Sequence, residues 1–460
     1  MTERIVVIGG DAAGMSAASQ ALRVATALGR TLDVVVLERG PWTSYSACGI
    51  PYWVAGDVDS PDDLIARTPA EHRANGVDLR MGTEAIEIDL GARVVHARES
   101  ATGVTERLPF DQLVVATGAV PIRPDLAGSQ ADGIHGLQTL QDGSDLLDTL
   151  LSTRAPRRAV VVGAGYIGIE VAEACHRRGL DTTVVDMAPE PMTTLDPDMG
   201  ALVRSAMEST GIALRTGTAV EGFEVGPDGW VTGVVTDAGT IPADVVVLGI
   251  GVRPNTRLAV DAGLPVGVSR GLRVDRRQAV VGHPGVWAAG DCAESFHRVS
   301  EAPVHIALGT HANKQGRVLG TNIAGGYDSF PGVVGTAITK VCDLEIARTG
   351  LGEREASAAG FDAVVGVVES TTTSGYMPGA SPLMVKAIAE RGSGRLLGAQ
   401  IVGEGPGSAK RIDACALAVW NEMGAHALTM ADLAYAPPFS PVWDPVQIAA
   451  RRAGDAATRQ

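Results

Sequence analysis

"RIVVIGGDAAGMSAASQALRVA", residues 4–25, carries three signals in order. Ile5 to Ile8 form a short run of apolar, mostly β-branched residues, the pattern of a strand buried on both faces. A glycine turn follows. It opens a helix whose alanine-rich face packs closely on a sheet. The next strand lies in "LDVVVLERG" (residues 32–40) and ends in Glu38, where a carboxylate holds the hydroxyl pair of a ribose.

The same grammar returns in "RRAVVVGAGYIGIEVAEACHRRG" (residues 157–179) and "DTTVVDM" (residues 181–187). Gly163, Gly165 and Gly168 keep the full GxGxxG register, and Asp186 closes the following strand. A lone GxGxxG is weak. Two copies, each between a Val/Ile strand and a helix and each followed by an acidic strand end, are strong. The first glycine permits the tight turn, the second lets backbone approach a pyrophosphate, and the helix N-terminus supplies N–H groups and partial positive charge. The first copy keeps Gly9 and Gly14 but has Asp11 at the middle position. Either the loop turns that carboxylate outward, or this half binds its ligand with different geometry.

Bulk composition narrows the function class. A chain of 460 residues exceeds what one core serves, so two or three domains are expected. With 45% hydrophobic and 20% charged residues the composition is that of an ordinary soluble protein, and no apolar run is long enough for a bilayer. "MTERIVVIGG" lacks the basic start, apolar stretch and cleavage site of a secretory signal, so a cytoplasmic location is expected. The five cysteines, Cys48, Cys175, Cys292, Cys342 and Cys415, are scattered and form no CxxC pair, against both a disulfide framework and a metal site. A formal charge of −15 argues against nucleic acid as a partner. Anionic small molecules remain open, because a local arginine cluster dominates at short range.

Between and after the two units, "LVVATGAVPIRP" (residues 113–124) places Thr117 and Gly118 after a strand, and "VWAAGDCAE" (residues 286–294) does the same for Asp291. With these residues in that order, the chain resembles the two-dinucleotide flavoproteins, the pyridine nucleotide-disulfide oxidoreductases, over essentially its whole length. The resemblance implies an α/β fold of two Rossmann-like dinucleotide-binding domains plus a C-terminal α+β dimerisation domain. FAD would occupy residues 1–150 and 255–330, NAD(P)H residues 151–254, and residues 331–460 would form a homodimer interface. Gly9, Gly14, Glu38, Thr117, Gly118 and Asp291 would serve FAD; Gly163, Gly165, Gly168 and Asp186 would serve the nicotinamide nucleotide. Asp186 favours NADH by repelling a 2′-phosphate. Arg177 and Arg178 on the preceding helix leave NADPH open.

"SYSACGIPYW" (residues 44–53) is similar to the S-[FY]-x-x-C-G-x-P-Y motif of the single-cysteine branch, which holds CoA-disulfide reductase and its NADH oxidase and peroxidase relatives. Two-cysteine relatives use C-x4-C, but Trp53 stands five residues after Cys48. The second sulfur then comes from outside the chain, as a mixed disulfide between Cys48 and a small thiol such as CoA. The resemblance implies hydride transfer from NADH to FAD, reductive release of one thiol, and attack of the Cys48 thiolate on a fresh disulfide. Tyr376 in "SGYMPGA" and Tyr435 in "YAPPFSPVWDP" match the two tyrosines the branch carries near the reactive sulfur, and a phenol can donate a hydrogen bond to a departing thiolate. Gln20, Arg23 and Ser44 match CoA-binding positions, with Arg67 as a further cation.

Two departures discriminate. Ala12 replaces the histidine that oxidases and peroxidases carry in the first glycine turn, and Ala47 replaces an asparagine before the cysteine, which leaves room for another low-molecular-weight thiol. An NAD(P)H oxidase reducing O2 and a persulfide or polysulfide reductase, here without an appended sulfurtransferase domain, are the competing enzyme readings. A redox-sensing or scaffold protein would call for a low-complexity tail or charge block, and the chain shows neither.

Overall fold

The computed structural model describes residues 2–459. β1 (Glu3–Ile8) runs into α1 (Ala12–Ala27) and β2 (Leu32–Glu38), as the opening segment predicts. After α2 (Ile50–Ala55) and α3 (Pro69–Ala74), β3 (Asp78–Met81) pairs parallel to β2, and β4 (Gln112–Val115) returns to the other side of β1. The chain then leaves along β5 (Ala119–Pro121).

The second unit begins with β6 (Ile134–His135) and β7 (Arg158–Val162), followed by α4 (Tyr166–Arg177), β8 (Asp181–Asp186), β9 (Ala213–Thr216) and β10 (Val245–Leu248). These strands form a parallel sheet in the order β9-β8-β7-β10-β6. β6 belongs to this sheet, so the second unit starts before the expected boundary at residue 151. Two residues are too short a run to carry a strand signal, which is why the sequence pattern places the boundary too late.

The chain returns along β11 (Val252–Pro254), antiparallel to β5, so one two-stranded ribbon carries both crossings. β12 (Val286–Ala288) then completes the first sheet in the order β12-β4-β1-β2-β3. α5 (Gly309–Ile323) closes the unit by packing against α1. The central strands of both units are buried, as expected of parallel sheets covered on both sides.

From β13 (Ala337–Val341) onward the chain is an antiparallel sheet, in the order β13-β14-β17-β16-β15. It comprises β14 (Leu344–Gly350), β15 (Ala363–Thr371), β16 (Pro382–Glu390) and β17 (Leu396–Glu404), covered by α6 (Ile412–Trp420) and α7 (Pro445–Thr458). It is clasped to the second unit by Lys386, which is 2% exposed and pairs with Asp196 (3.1 Å), Asp198 (2.8 Å) and Glu353 (2.5 Å). The ammonium fills the space among these three carboxylates, and a buried charge so paired fixes geometry more than it stabilises. Among the described residues no helix is long and apolar enough to cross a membrane.

Candidate active site

The two glycine turns share the same backbone construction at their first and last glycines. Gly9 has φ +106° and Gly163 φ +102°; a Cβ there would lie 2.1 Å from the Ala116 carbonyl oxygen and 2.5 Å from that of Gly249. Gly14 and Gly168 each touch the first glycine of their own motif, where a Cβ would meet its carbonyl oxygen at 1.9 Å and 2.0 Å. The acidic strand ends repeat as well. Glu38 accepts the N–H groups of Gly10 (2.8 Å) and Gly40 (2.7 Å); Asp186 accepts those of Ala164 (2.6 Å) and Ala188 (2.7 Å). In both cases the carboxylate is fixed beside the turn, at the end of its strand.

α1 and α4 begin without a side-chain cap, whereas α3 and α7 each carry a capping box. Their first N–H groups are therefore not taken up by a side-chain cap and remain able to receive an anion. A Cβ on Gly165 would meet nothing within 4 Å, so the space in front of that turn is open. The middle position of the first turn differs. Asp11 is half-buried and lines the cleft, and its carboxylate accepts the Tyr45 N–H (3.3 Å) of the cysteine loop. Burial pushes its pKa up to about 6, with Glu38 and Asp291 adding repulsion and the Tyr45 and Ala12 N–H groups opposing.

One cleft of about 2390 Å³ is lined by Gly9, Glu38, Thr117, Gly118, Asp291 and Cys48 together. That exceeds the roughly 300–1,000 Å³ of a site for one small ligand. Thr117 Oγ1 donates to the Asn255 carbonyl (2.6 Å), locking the two crossing strands beside the cleft. The Gly290 N–H is held by Gln315 Oε1 of α5 (2.7 Å), which orients the turn carrying Asp291. Glycine turns, uncapped helix starts and acidic strand ends form a cradle that fits a dinucleotide in each unit, open at Gly165 in the second and carrying Asp11 in the first.

Cys48 is exposed in a short 3-10 turn, Ala47–Gly49, that leads into α2. The cleft walls desolvate its thiol and hold its pKa above the ordinary value, and Glu170 and Asp291 repel the thiolate further. Cys175, Cys292 and Cys415 are buried. Cys342 is half-buried at the β13–β14 turn.

Of the expected substrate contacts, Arg23, Ser44 and Arg67 line the cleft. Gln20 does not: its buried amide donates to Thr321 Oγ1 (3.0 Å) between α1 and α5, because that helix face is the packing face. Arg177 and Arg178 are also committed elsewhere. Arg177 makes a bidentate pair with Asp57 (2.5 Å), and Arg178 Nε donates to the Val54 carbonyl (2.7 Å), so both clamp α4 to the cysteine helix α2 rather than reach toward Asp186. Tyr376 and Tyr435 lie on the C-terminal domain, 75% and 47% exposed, and neither lines the cleft that holds Cys48 of the same chain.

The sequence reading missed Glu170 and His72, both of which line the cleft. Glu170 accepts a hydrogen bond from Thr339 of β13 (2.5 Å). Burial raises its pKa to about 7, with Glu173 repulsion adding and the Thr339 bond and Lys340 opposing. Its signal was available, since Tyr166 and Glu170 sit four apart and share one face of α4.

Residues 3–316 match the family model described as pyridine nucleotide-disulphide oxidoreductase, and residues 336–445 match that of the corresponding dimerisation domain. The chain is 35% identical to the NAD(P)H coenzyme A polysulfide/persulfide reductase of Pyrococcus horikoshii, with 98% of each covered. It is 34% identical to an NADH oxidase of Methanocaldococcus jannaschii, again with 98% of each covered. Its structure is similar to that of a NAD-dependent persulfide reductase from A. fulgidus, with TM-score 0.93, 35% identity, and coverage of 98% of this chain and 83% of that one.

Proposed function

Since the chain belongs to the pyridine nucleotide-disulphide oxidoreductase family, we propose that it is a flavoprotein that uses NAD(P)H to reduce a disulfide or persulfide of the coenzyme A type through Cys48. The observation that carries this reading is the placement of one exposed thiol in the cleft of the first glycine turn, with buried Trp53 where a second cysteine would stand. Gly9, Gly14, Glu38, Thr117, Gly118 and Asp291 would hold FAD, which when bound would supply the passage of two electrons from the nicotinamide nucleotide to sulfur. The second turn, Gly163, Gly165 and Gly168, takes the nucleotide, and the fixed carboxylate of Asp186 favours NADH over NADPH.

Cys48 does the sulfur chemistry. Its thiolate attacks one sulfur of the incoming disulfide, forming a mixed disulfide and expelling the other half as a thiolate. Two electrons and a proton then return Cys48 to the thiolate and release the second thiol. Arg23, Ser44 and Arg67, which line the cleft, would hold the anionic part of a CoA-type substrate. Tyr376 and Tyr435 are exposed on the dimerisation domain, which supports their reaching the cleft of a second copy and hydrogen-bonding the departing sulfur there.

Intact mass with and without reductant, read alongside NADH consumption with CoA disulfide in air and under anaerobic conditions, tests this. A reducible adduct of CoA mass on the Cys48 peptide, with oxygen-independent turnover lost in Cys48→Ser, is the expected result. Consumption that requires oxygen and ignores disulfides would instead establish the oxidase reading, which the relationship to an NADH oxidase supports.

A further inference from the structure

We propose that His72 is a positioning residue for the thiol chemistry, holding the loop that carries Cys48 through its hydrogen bond to Ser44. The proposal rests on the reading of Cys48 as the reactive thiol. Ser44 has φ +50°, a left-handed conformation that a residue with a side chain adopts only when its surroundings impose it. Its hydroxyl lies 2.8 Å from His72 Nε2. His72 is 2% exposed and sits on α3, a helix fixed at its start by the Thr68–Glu71 capping box.

The rest of the loop is tied to the same support. The Ser44 carbonyl accepts the Ala66 N–H (2.8 Å), Ser46 N–H donates to the Leu64 carbonyl (2.8 Å), and Tyr45 bridges Ile65. Residues 44–46 are thus a short ribbon laid against 64–66, which leads through Thr68 into α3. On the other side, Thr43 donates its hydroxyl to the Gly10 carbonyl. Ser44 is the one strained link between these anchors, and Cys48 follows four residues later. With the His72 bond removed, Ser44 relaxes toward negative φ, the ribbon shifts, and the sulfur leaves its place in the cleft.

The charged groups facing His72 are Arg67 and Glu71, and burial lowers the ring's pKa. The neutral ring makes the Ser44 bond with either tautomer. Its role is therefore geometric, exerted through another residue.

The test compares His72→Phe, His72→Gln and the double variant His72→Phe/Ser44→Gly as holoenzymes. Phenylalanine keeps the volume and removes the bond; glutamine keeps a polar partner; glycine takes φ +50° without a tether. His72→Phe is expected to lower kcat with CoA disulfide about tenfold while NADH-to-quinone turnover, which bypasses Cys48, stays within about twofold. His72→Gln and the double variant are expected to recover most of that kcat, whatever happens to KM. Hydrogen exchange at the Ser46 and Ala66 amides reads the ribbon without any substrate. It is expected to rise in His72→Phe and to fall back in the double variant. Unchanged amide exchange in His72→Phe, or disulfide kcat within about twofold of wild type, would overturn the proposal. Wild type failing to reduce CoA disulfide would count against the substrate reading alone, because the exchange measurement still decides the role of His72. Should His72→Phe not fold, His72→Gln against Ser44→Ala gives the same comparison, with faster exchange expected only in the latter.

Discussion

Asp11 stands where the second unit has Gly165, and the difference between the two turns is chemical rather than conformational. Both positions are extended backbone, φ −121° and −79°, so neither requires glycine for its own dihedral. Gly165 leaves room; Asp11 fills it with a carboxylate that reaches over to Tyr45. Because burial raises its folded pKa to about 6 from 3.8, the fold favours the protonated acid. The stability this group contributes is therefore present below the unfolded value and lost as pH rises through about 6. At neutral pH the ionised carboxylate costs up to about 3 kcal/mol, since each tenfold change in proton affinity between the unfolded and folded states is worth roughly 1.4 kcal/mol. Asp11→Asn is thus expected to melt higher than wild type at pH 7, with the gap opening between pH 4 and 6 and flat above that range. A gap independent of pH in thermal melts from pH 4 to 8 would contradict this account. The anomaly at position 11 was legible in the sequence; its partner was not, because Tyr45 lies 34 residues away across a loop whose path no periodicity records.

Strands and turns were the legible elements, and helix partners were not. The Val/Ile runs and glycine spacing located β1, α1, β2, β7, α4 and β8, because burial on both faces leaves an uninterrupted apolar signature. The alanine-rich face of α1 announced close packing, but the surface it packs on is α5, nearly 300 residues further along. That partner is shaped for it: a Cβ on Gly316 would sit 2.3 Å from the Ala13 carbonyl oxygen, and one on Gly320 would sit 2.4 Å from that of Ala17. The obstacles are backbone, so neither helix yields without moving as a unit. Gly316→Ala is accordingly expected to destabilise the protein by about 1–3 kcal/mol through overpacking. The same movement would displace Gln315 and with it the Gly290 N–H that orients the Asp291 turn, so FAD should dissociate more readily from the variant. Cofactor retention on gel filtration and the thermal midpoint check both effects. A variant that keeps wild-type stability and full flavin content would show that the α1–α5 contact is slack.

At the scale of the molecule, the order of the domains followed from two repeated motifs, and the C-terminal domain from the family resemblance that those motifs carry. What a single chain's sequence cannot express is which copy of a residue serves which site. Tyr376 and Tyr435 were grouped with Cys48 by motif, yet in one chain they are exposed on the dimerisation domain, on two loops joined by the Ser374 N–H to the Pro437 carbonyl (2.9 Å), with Phe439 and Trp443 of the second loop 75% and 46% exposed. Large apolar side chains clustered on a surface mark a contact, and in a two-fold dimer each copy would present the same face to the other. If each copy's tyrosines serve the partner's Cys48, two crippled subunits can repair one another. A Cys48→Ser subunit paired with a Tyr376→Phe/Tyr435→Phe subunit would build one site with an intact thiol and intact tyrosines, and one with neither. Hybrids formed by co-expression should then regain about half of the wild-type disulfide reductase rate, one working site of two. The tyrosine double variant alone should be slower than wild type by about tenfold or more, the size expected for loss of a proton donor. If the tyrosines act within their own chain, the hybrid contains no intact site, and its rate would not exceed that of the tyrosine variant by itself.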